Sequence, residues 1–476
     1  MWATKLYITV TTIVILAMIS SVKPVNEWLV SVRRWPVATF LISLLFLSLF
    51  LTSSTQLNTS PGTELGIVRK IRVGLLISVF FIVLFSILLN RLGRLRLTSP
   101  MAAMLLYALY AMLSALYSTH PSLTAWKGFE VLVDVMVFVY LASYLKDYAS
   151  IRDLLNIVYI IVLYLVVSAL VGGVFAPGLA YVRQTGGSGS MAWEYWGIFP
   201  SIHPNSLAQF GAIIGVIAMI HLLYAKRAIE RNMSFLILAI GLAGMLLSHS
   251  RTSLIGFVLA SAVIFMFGKR KGIGLAILFV GAIAVVISDF DTLVKMYVMR
   301  GQSEEVFARM SGRTEYWPRV IEAFLISPFI GHGYYSGHRF GVFEGKLMLN
   351  TSSVDNTYLE VLVDLGILGM FFIALMLVMT AKNFFRIRLA IHSYDKMKEW
   401  FVLWLELFGL IVIILVRSLT GPTFQRHHPS LVIALAVIVV AAAAAKIVRS
   451  RGGSLDPVKT KKLIKKKPQR VIYKKR

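Results

Sequence analysis

Arg251 and Arg313 are the residues whose type and setting first suggest a chemistry. Arg251 lies in Ser248-His249-Ser250-Arg251-Thr252-Ser253, wedged between two apolar runs. Arg313 lies in Ser311-Gly312-Arg313-Thr314-Glu315-Tyr316-Trp317, inside a long polar stretch. A charge at the centre of a membrane helix costs roughly 2.5–3.5 kcal/mol, and less near the interface. The positive-inside rule draws arginine to the cytoplasmic side, whereas both motifs fall on the other side by the assignment below. An arginine there asks for an anionic partner. Its planar fork donates two parallel hydrogen bonds to a phosphate, which makes a diphosphate the candidate ligand. Ser250, Thr252 and Ser253 place further donors beside Arg251. A helix starting there would add backbone N–H groups and the positive end of its dipole. The plain alternative for Arg251 is snorkelling from the start of the next helix. Beside Arg313, Gly312 permits close backbone approach, and Trp317 can stack on a sugar.

A second set of residues suits acid–base work. In Asp355-Asn356-Thr357-Tyr358-Leu359-Glu360, either Asp355 or Glu360 can act as a general base, with Asn356 positioning the acceptor. Asn356, Glu360 and Asp364 recur at i, i+4, i+8 and so share one helix face. The plain alternative is Asp355 as a helix cap with hydrogen bonds between helices below it. His203-Pro204-Asn205 opens another apolar run, with Asn205 as a possible cap. Before it, Arg183 precedes a glycine-rich stretch that leads to Trp193, Tyr195 and Trp196. Arg183 is a candidate third anion contact, and Trp193, Trp196, Trp317 and His203 are candidate ring surfaces and donors for the rest of a ligand. Glu130 and Asp134 read as partners for basic residues in the bundle. Asp289-Phe290-Asp291 is a weak metal motif, and His427-His428 and His332 to His338 lack ligand spacing. No metal and no cofactor is expected.

These residues need elements to hold them, and composition says which. The 476 residues are 58% hydrophobic with no cysteine, and the mean hydropathy is +0.77. That is too apolar for a soluble protein. The absence of cysteine excludes disulfides and thiol nucleophiles. Apolar runs predict about thirteen transmembrane helices, near 6–22, 37–53, 73–90, 101–117, 129–146, 154–175, 206–224, 233–248, 252–268, 272–288, 356–381, 400–418 and 429–448. The run 6–22 is expected to be a span, since it lacks a charged n-region and a small-residue cleavage site. Alternating strands are absent, so no barrel is expected. The fold class is thus an all-α polytopic membrane bundle with one large, partly helical outer loop.

Charge then sets sidedness. Basic loops around Arg33/Arg34, Arg91–Arg96, Lys226–Arg231, Lys269–Lys271 and Lys382–Lys398 share one side with the basic tail, which makes that side cytoplasmic. Arg69, Lys70 and Arg72 break the pattern on the outer side. The net charge of +26 is concentrated in the tail, which suits anionic headgroups and carries no nucleic-acid motif. The organisation is N-terminal spans over 1–175, central spans with outer motifs over 176–288, and an outer loop over 289–355. C-terminal spans over 356–448 and a tail over 449–476 complete it. Within the loop, 314–325 predicts an amphipathic helix bent by Pro318.

Taken in order, His203-Pro204-Asn205, Ser250-Arg251-Thr252, Gly312-Arg313-Thr314 with Trp317, Pro328 to Gly331 and Gly333, then Asp355-Asn356-x-Tyr358-Leu359 with Gly366 and Gly369 resemble the O-antigen ligase/polymerase superfamily of bacterial envelope enzymes. The resemblance spans roughly 180–420. It implies about twelve membrane helices and transfer of glycans from undecaprenyl diphosphate to an acceptor, at the periplasmic face of the inner membrane. It also implies that Arg251 and Arg313 contact the diphosphate. Ligases of the superfamily usually carry histidine before the last asparagine; here Asp355 stands there. That departure favours a polymerase over a ligase that loads lipid A-core. The rival class is a flippase for the same lipids. Expected partners are the lipid-linked glycan, the growing chain or lipid A-core acceptor, membrane lipids and a chain-length regulator, with no nucleic acid.

Overall fold

Inside a bilayer every backbone N–H and C=O must be satisfied within the chain, which leaves helices as the form for these apolar runs. The computed structural model describes residues 2–19, 23–50, 67–89, 97–183, 193–268, 272, 313–341, 353–392 and 398–453. The helices are α1 (Trp2–Ile19), α2 (Lys23–Arg34), α3 (Pro36–Phe50), α4 (Ile67–Leu89), α5 (Ser99–Leu113), α6 (Pro121–Ala142), α7 (Tyr148–Phe175) and the short α8 (Pro177–Ala180). They continue with α9 (Pro204–Tyr224), α10 (Ala228–Leu247), α11 (Arg251–Phe267), α12 (Arg313–Ile326), α13 (Thr357–His392), α14 (Lys398–Ser418) and α15 (Pro429–Gly453). Twelve of the thirteen expected spans coincide with these helices; the one at 272–288 lies outside the described residues, apart from Gly272. By length and apolarity, eight described helices can cross a membrane, or nine if the α2–α3 pair, bent by 104°, counts as one. The chain is an all-α polytopic membrane protein.

Of the candidate spans, α7, α9 and α15 are the most completely buried. Their sequences are apolar all round, and such a helix belongs at the centre of a bundle. Packed around this core are α5 with α6, α10 with α9, α11 with α14, and α13 with both α5 and α15.

The charges inside the bundle are matched. Arg72, one of the outer-side basic residues, meets Glu130 at 2.7 Å, and Lys127 reaches the same carboxylate at 3.0 Å. Asp134 pairs with His427 at 2.8 Å. Glu130 and Asp134 therefore have the basic partners expected of them. In the N-terminal halves of α7 and α14, Glu406 accepts from Arg152 and from Tyr159 Oη at 3.1 Å. A buried charge without such partners would cost several kcal/mol.

One long helix is broken where its sequence reads as continuous. At Gly366 in α13 the backbone turns to φ 63°, ψ −162°, a region open in practice only to glycine. The segment after α12 enters the break. Ile367 N donates to Pro328 O at 2.8 Å, and Gly333 N donates to Asp364 O at 2.9 Å. The approach is reciprocal: a Cβ on Gly366 would stand 2.4 Å from Phe329 C, and one on Gly331 would stand 2.4 Å from Asp364 C. Gly366→Ala is therefore expected to destabilise the protein by about 2 kcal/mol or more. This is read as a lower melting temperature in detergent; an unchanged melting temperature would contradict the account of the break.

Candidate functional site

The polar motifs meet at the helix ends that the charge pattern assigns to the outer side. Arg251 is the first residue of α11, half-buried, behind the N-cap Ser250. The turn before it is tight, with His249 at φ 50°. Ser253 Oγ bonds Ser250 Oγ at 3.2 Å, and Thr252 Oγ1 accepts from Thr420 Oγ1 at 2.7 Å. The second bond ties the Arg251 turn to residues 419–428, the turn between α14 and α15.

That turn is the hub of the outer face. Its Gly421 O accepts from Thr357 Oγ1 at 2.7 Å. Gln425 O accepts from Tyr107 Oη at 3.4 Å and also from Tyr334 Oη. Gln425 Nε2 donates to Glu360 Oε2 at 2.6 Å, and Arg426 Nη2 donates to Ser353 Oγ at 3.0 Å. His427 bridges Asp134 to Ser48 Oγ, the latter at 2.8 Å. Arg417, in the last turn of α14, closes the base by donating to Thr420 O at 3.0 Å.

Asp355, Asn356 and Glu360 divide their tasks. The structure moves the cap from Asp355 to Asn356, whose Oδ1 accepts from Tyr358 N at 3.0 Å and Leu359 N at 3.1 Å. A cap needs its side chain within reach of the second and third helical N–H groups, and the helix begins at Thr357. Asp355 stands just outside at φ 53°, a strained region for a residue with a Cβ, and lies in the field of Arg426. Glu360 is fully buried. Its Oε1 accepts from Ser353 Oγ at 2.6 Å and Val354 N at 3.0 Å, while Gln425 takes Oε2. Asp364, next on that face, accepts from Tyr335 N and His338 N, both at 2.8 Å, and pairs with His338 Nδ1 at 2.9 Å.

Other expected contacts fall nearby. Arg313 opens α12, but its side chain lies outside the described residues, as does that of Arg183 at the end of β1. The helix expected over 314–325 is present as α12, with Pro318 inside it. Trp317, half-buried, donates from Nε1 to Val354 O at 3.1 Å and packs with Val320, Val354 and Val363. It thereby fastens α12 to the Asp355 segment. Strands β1 (Tyr181–Arg183) and β2 (Trp193–Tyr195) pair antiparallel. They leave Trp193 exposed, and Trp196 meets the His203 ring edge-on at 5.1 Å. His203, not Asn205, caps α9: its Nδ1 accepts from Asn205 N at 3.2 Å. The glycine-rich residues 184–190 and the Asp289–Asp291 pair lie outside the described residues. Among the described residues no cluster of three or more His, Asp or Glu is arranged for a metal.

The field at this face is positive. Tyr335, at φ 62°, accepts from Arg339 Nη1 at 2.6 Å, and Lys127 Nζ stands 5.0 Å over its ring. Burial pushes the Tyr335 phenol up, but Lys127, Arg339, Arg426 and His338 more than offset it and bring it down to about 8. Difference absorbance between the wild type and Tyr335→Phe should show one phenol titrating near pH 8; a midpoint at the ordinary 10 would contradict that field.

Sequence reasoning passed over Arg417 and Arg426 and weighed His428 only as a metal ligand. The signal was available, since arginines in an outer turn break the positive-inside pattern as Arg251 does. The His-His pair drew attention to metal ligation instead.

Fold and site together define a multi-pass helical membrane protein whose candidate polar side chains gather around the 419–428 turn. Residues 234–374 match a family model described as O-antigen ligase. The match covers 141 of the 476 residues and runs from α10 into α13. It therefore contains Arg251, Arg313, Asp355, Asn356 and Glu360. It supports the O-antigen ligase/polymerase superfamily, a class of membrane enzyme. No curated protein matches the chain.

Proposed function

We propose that the chain is a glycosyltransferase that polymerises glycans carried on polyprenyl (undecaprenyl) diphosphate, at the periplasmic face of the bacterial inner membrane. The observation that carries this reading is the junction of the Arg251 turn with the Asp355 helix start, both bonded to the 419–428 turn. It supports Arg251 and Asp355 acting on one substrate, since the segments that carry them are bonded to the same turn. Arg251 and Arg313, with Arg183, hold the diphosphate and neutralise charge as it leaves. Asp355 takes the proton from the acceptor hydroxyl. The acceptor oxygen bonds the anomeric carbon, the carbon–oxygen bond to the diphosphate breaks, and the polyprenyl diphosphate departs with the electron pair.

Asp355 is preferred to Glu360 as the base because it is half-buried at the helix start, whereas Glu360 is fully buried. Asn356 keeps its amide NH2 for the acceptor while its Oδ1 caps the helix. Exposed Trp193, with Trp196, His203 and Trp317, lines the glycan path. No metal is required, because positive charge at the leaving group comes from arginine. The polymerase reading is preferred to transfer onto lipid A-core because Asp355 occupies the place where ligases usually hold histidine.

In a strain lacking its own copy, a gene carrying Arg313→Ala should lower polymer amount at least tenfold, about 1.4 kcal/mol of lost binding. Arg313→Lys should retain part of it. Normal polymer from Arg313→Ala would remove Arg313 from the site.

A further inference from the structure

The 419–428 turn carries donors that the proposed reaction has not yet used. His428 is half-buried at its end. Its Nδ1 accepts from Ser430 N at 3.2 Å, which fixes the ring proton on Nε2. Ser430 Oγ stands 3.0 Å from the same nitrogen and 2.6 Å from the Gln209 side-chain amide; with Gln209 Nε2, otherwise unmatched among the described residues, turned toward it, the hydroxyl accepts from the amide and donates to Nδ1. Burial and then the charges of Arg426, Arg417, His203 and His427 push the imidazole well below its ordinary value. His428 is thus a neutral side chain with one N–H to offer. Arg426 is the second donor. Its Nη2 serves Ser353, but its Nε is buried and has no acceptor among the described residues. Leaving such a donor unmet is costly, and a ligand oxygen would meet it.

The donor set selects the ligand class. A guanidinium and an Nε2–H have no lone pair to give, so no cation can be held by them. The carboxylates that act on Arg426 are Glu360 and Asp355; Glu360 is already occupied by Ser353, Val354 and Gln425. The Thr420–Thr252 bond sets this turn against the first turn of α11, beside Arg251. We propose that Arg426 and His428 form a second wall of the anion site. Resting on the function proposed above, they donate hydrogen bonds to the diphosphate of the lipid-linked substrate together with Arg251. His428 acts there as a neutral donor and not as a base.

The test is calorimetric titration of the full-length protein in detergent with farnesyl diphosphate, farnesol and phosphatidylglycerol. Wild type should bind farnesyl diphosphate in preference to the other two. Arg426→Gln and His428→Ala should each weaken that binding about tenfold, the equivalent of 1.4 kcal/mol. His428→Gln, which keeps an N–H donor, should stay within a few-fold of wild type. Melting temperatures identify variants that fail to fold, and His428→Gln keeps the comparison open if the alanine form does. Unchanged affinity in Arg426→Gln and His428→Ala, with loss in Arg251→Ala, would overturn the second wall and leave the proposed function standing. Equal binding of phosphatidylglycerol would reassign the site to a lipid headgroup. No binding of farnesyl diphosphate by wild type would overturn both readings.

Discussion

Arg251→Ala is expected to lower glycan transfer on the order of 10²–10³-fold, the usual cost of removing one preorganised donor from a developing anion. The loss should fall on turnover more than on folding. Arg251 opens α11; Thr252 bonds Thr420 in the 419–428 turn, and Ser253 bonds Ser250 within the Arg251 turn. Those hydroxyls survive the change. Arg251→Lys should fall between, since it keeps the charge and loses the fork. The measurement is the length and amount of polymer made by cells whose only copy carries the substitution, at matched protein level. A normal ladder from Arg251→Ala would leave its placement explained by snorkelling alone.

Asp355→Asn is expected to reduce transfer by about 10²–10⁴-fold, the range for loss of a general base. The substitution is clean for a structural reason. Helix capping rests on Asn356, not on Asp355. Asparagine also tolerates the φ 53° conformation at that position better than other residues with a Cβ. Fold and melting temperature should therefore be preserved while chemistry is lost. Glu360→Gln should behave in the opposite way. It places an amide where Oε1 now accepts two hydrogen bonds and Oε2 a third, so lower stability should accompany any loss of activity. A full-activity Asp355→Asn enzyme would pass the base role elsewhere.

The spans were legible because a lipid-embedded backbone has one solution, and apolar runs announce it. The Pro318 helix and the partners of Glu130 were legible for similar reasons: an amphipathic pattern, and a buried carboxylate that must find a cation. Two caps were misplaced by a residue or two, at Asn356 and His203, because several adjacent side chains could each reach the first turn. The break at Gly366 was hidden, since glycine in an apolar run reads as continuous helix until the segment Pro328–Gly333 is seen to enter it. The 419–428 turn was hidden for a different reason. Its ten residues carry no repeating pattern, and their meaning lies in partners far away in sequence: Ser48, Tyr107, Asp134, Thr252, Ser353 and Glu360.

The central claim is bond cleavage at a diphosphate, and reconstitution tests it most directly. Purified protein in liposomes is given a polyprenyl-diphosphate-linked glycan labelled on the sugar. The account predicts longer glycan products and released polyprenyl diphosphate, both absent with Asp355→Asn. Movement of intact lipid-linked glycan across the bilayer with no cleavage would contradict it and make the protein a transporter.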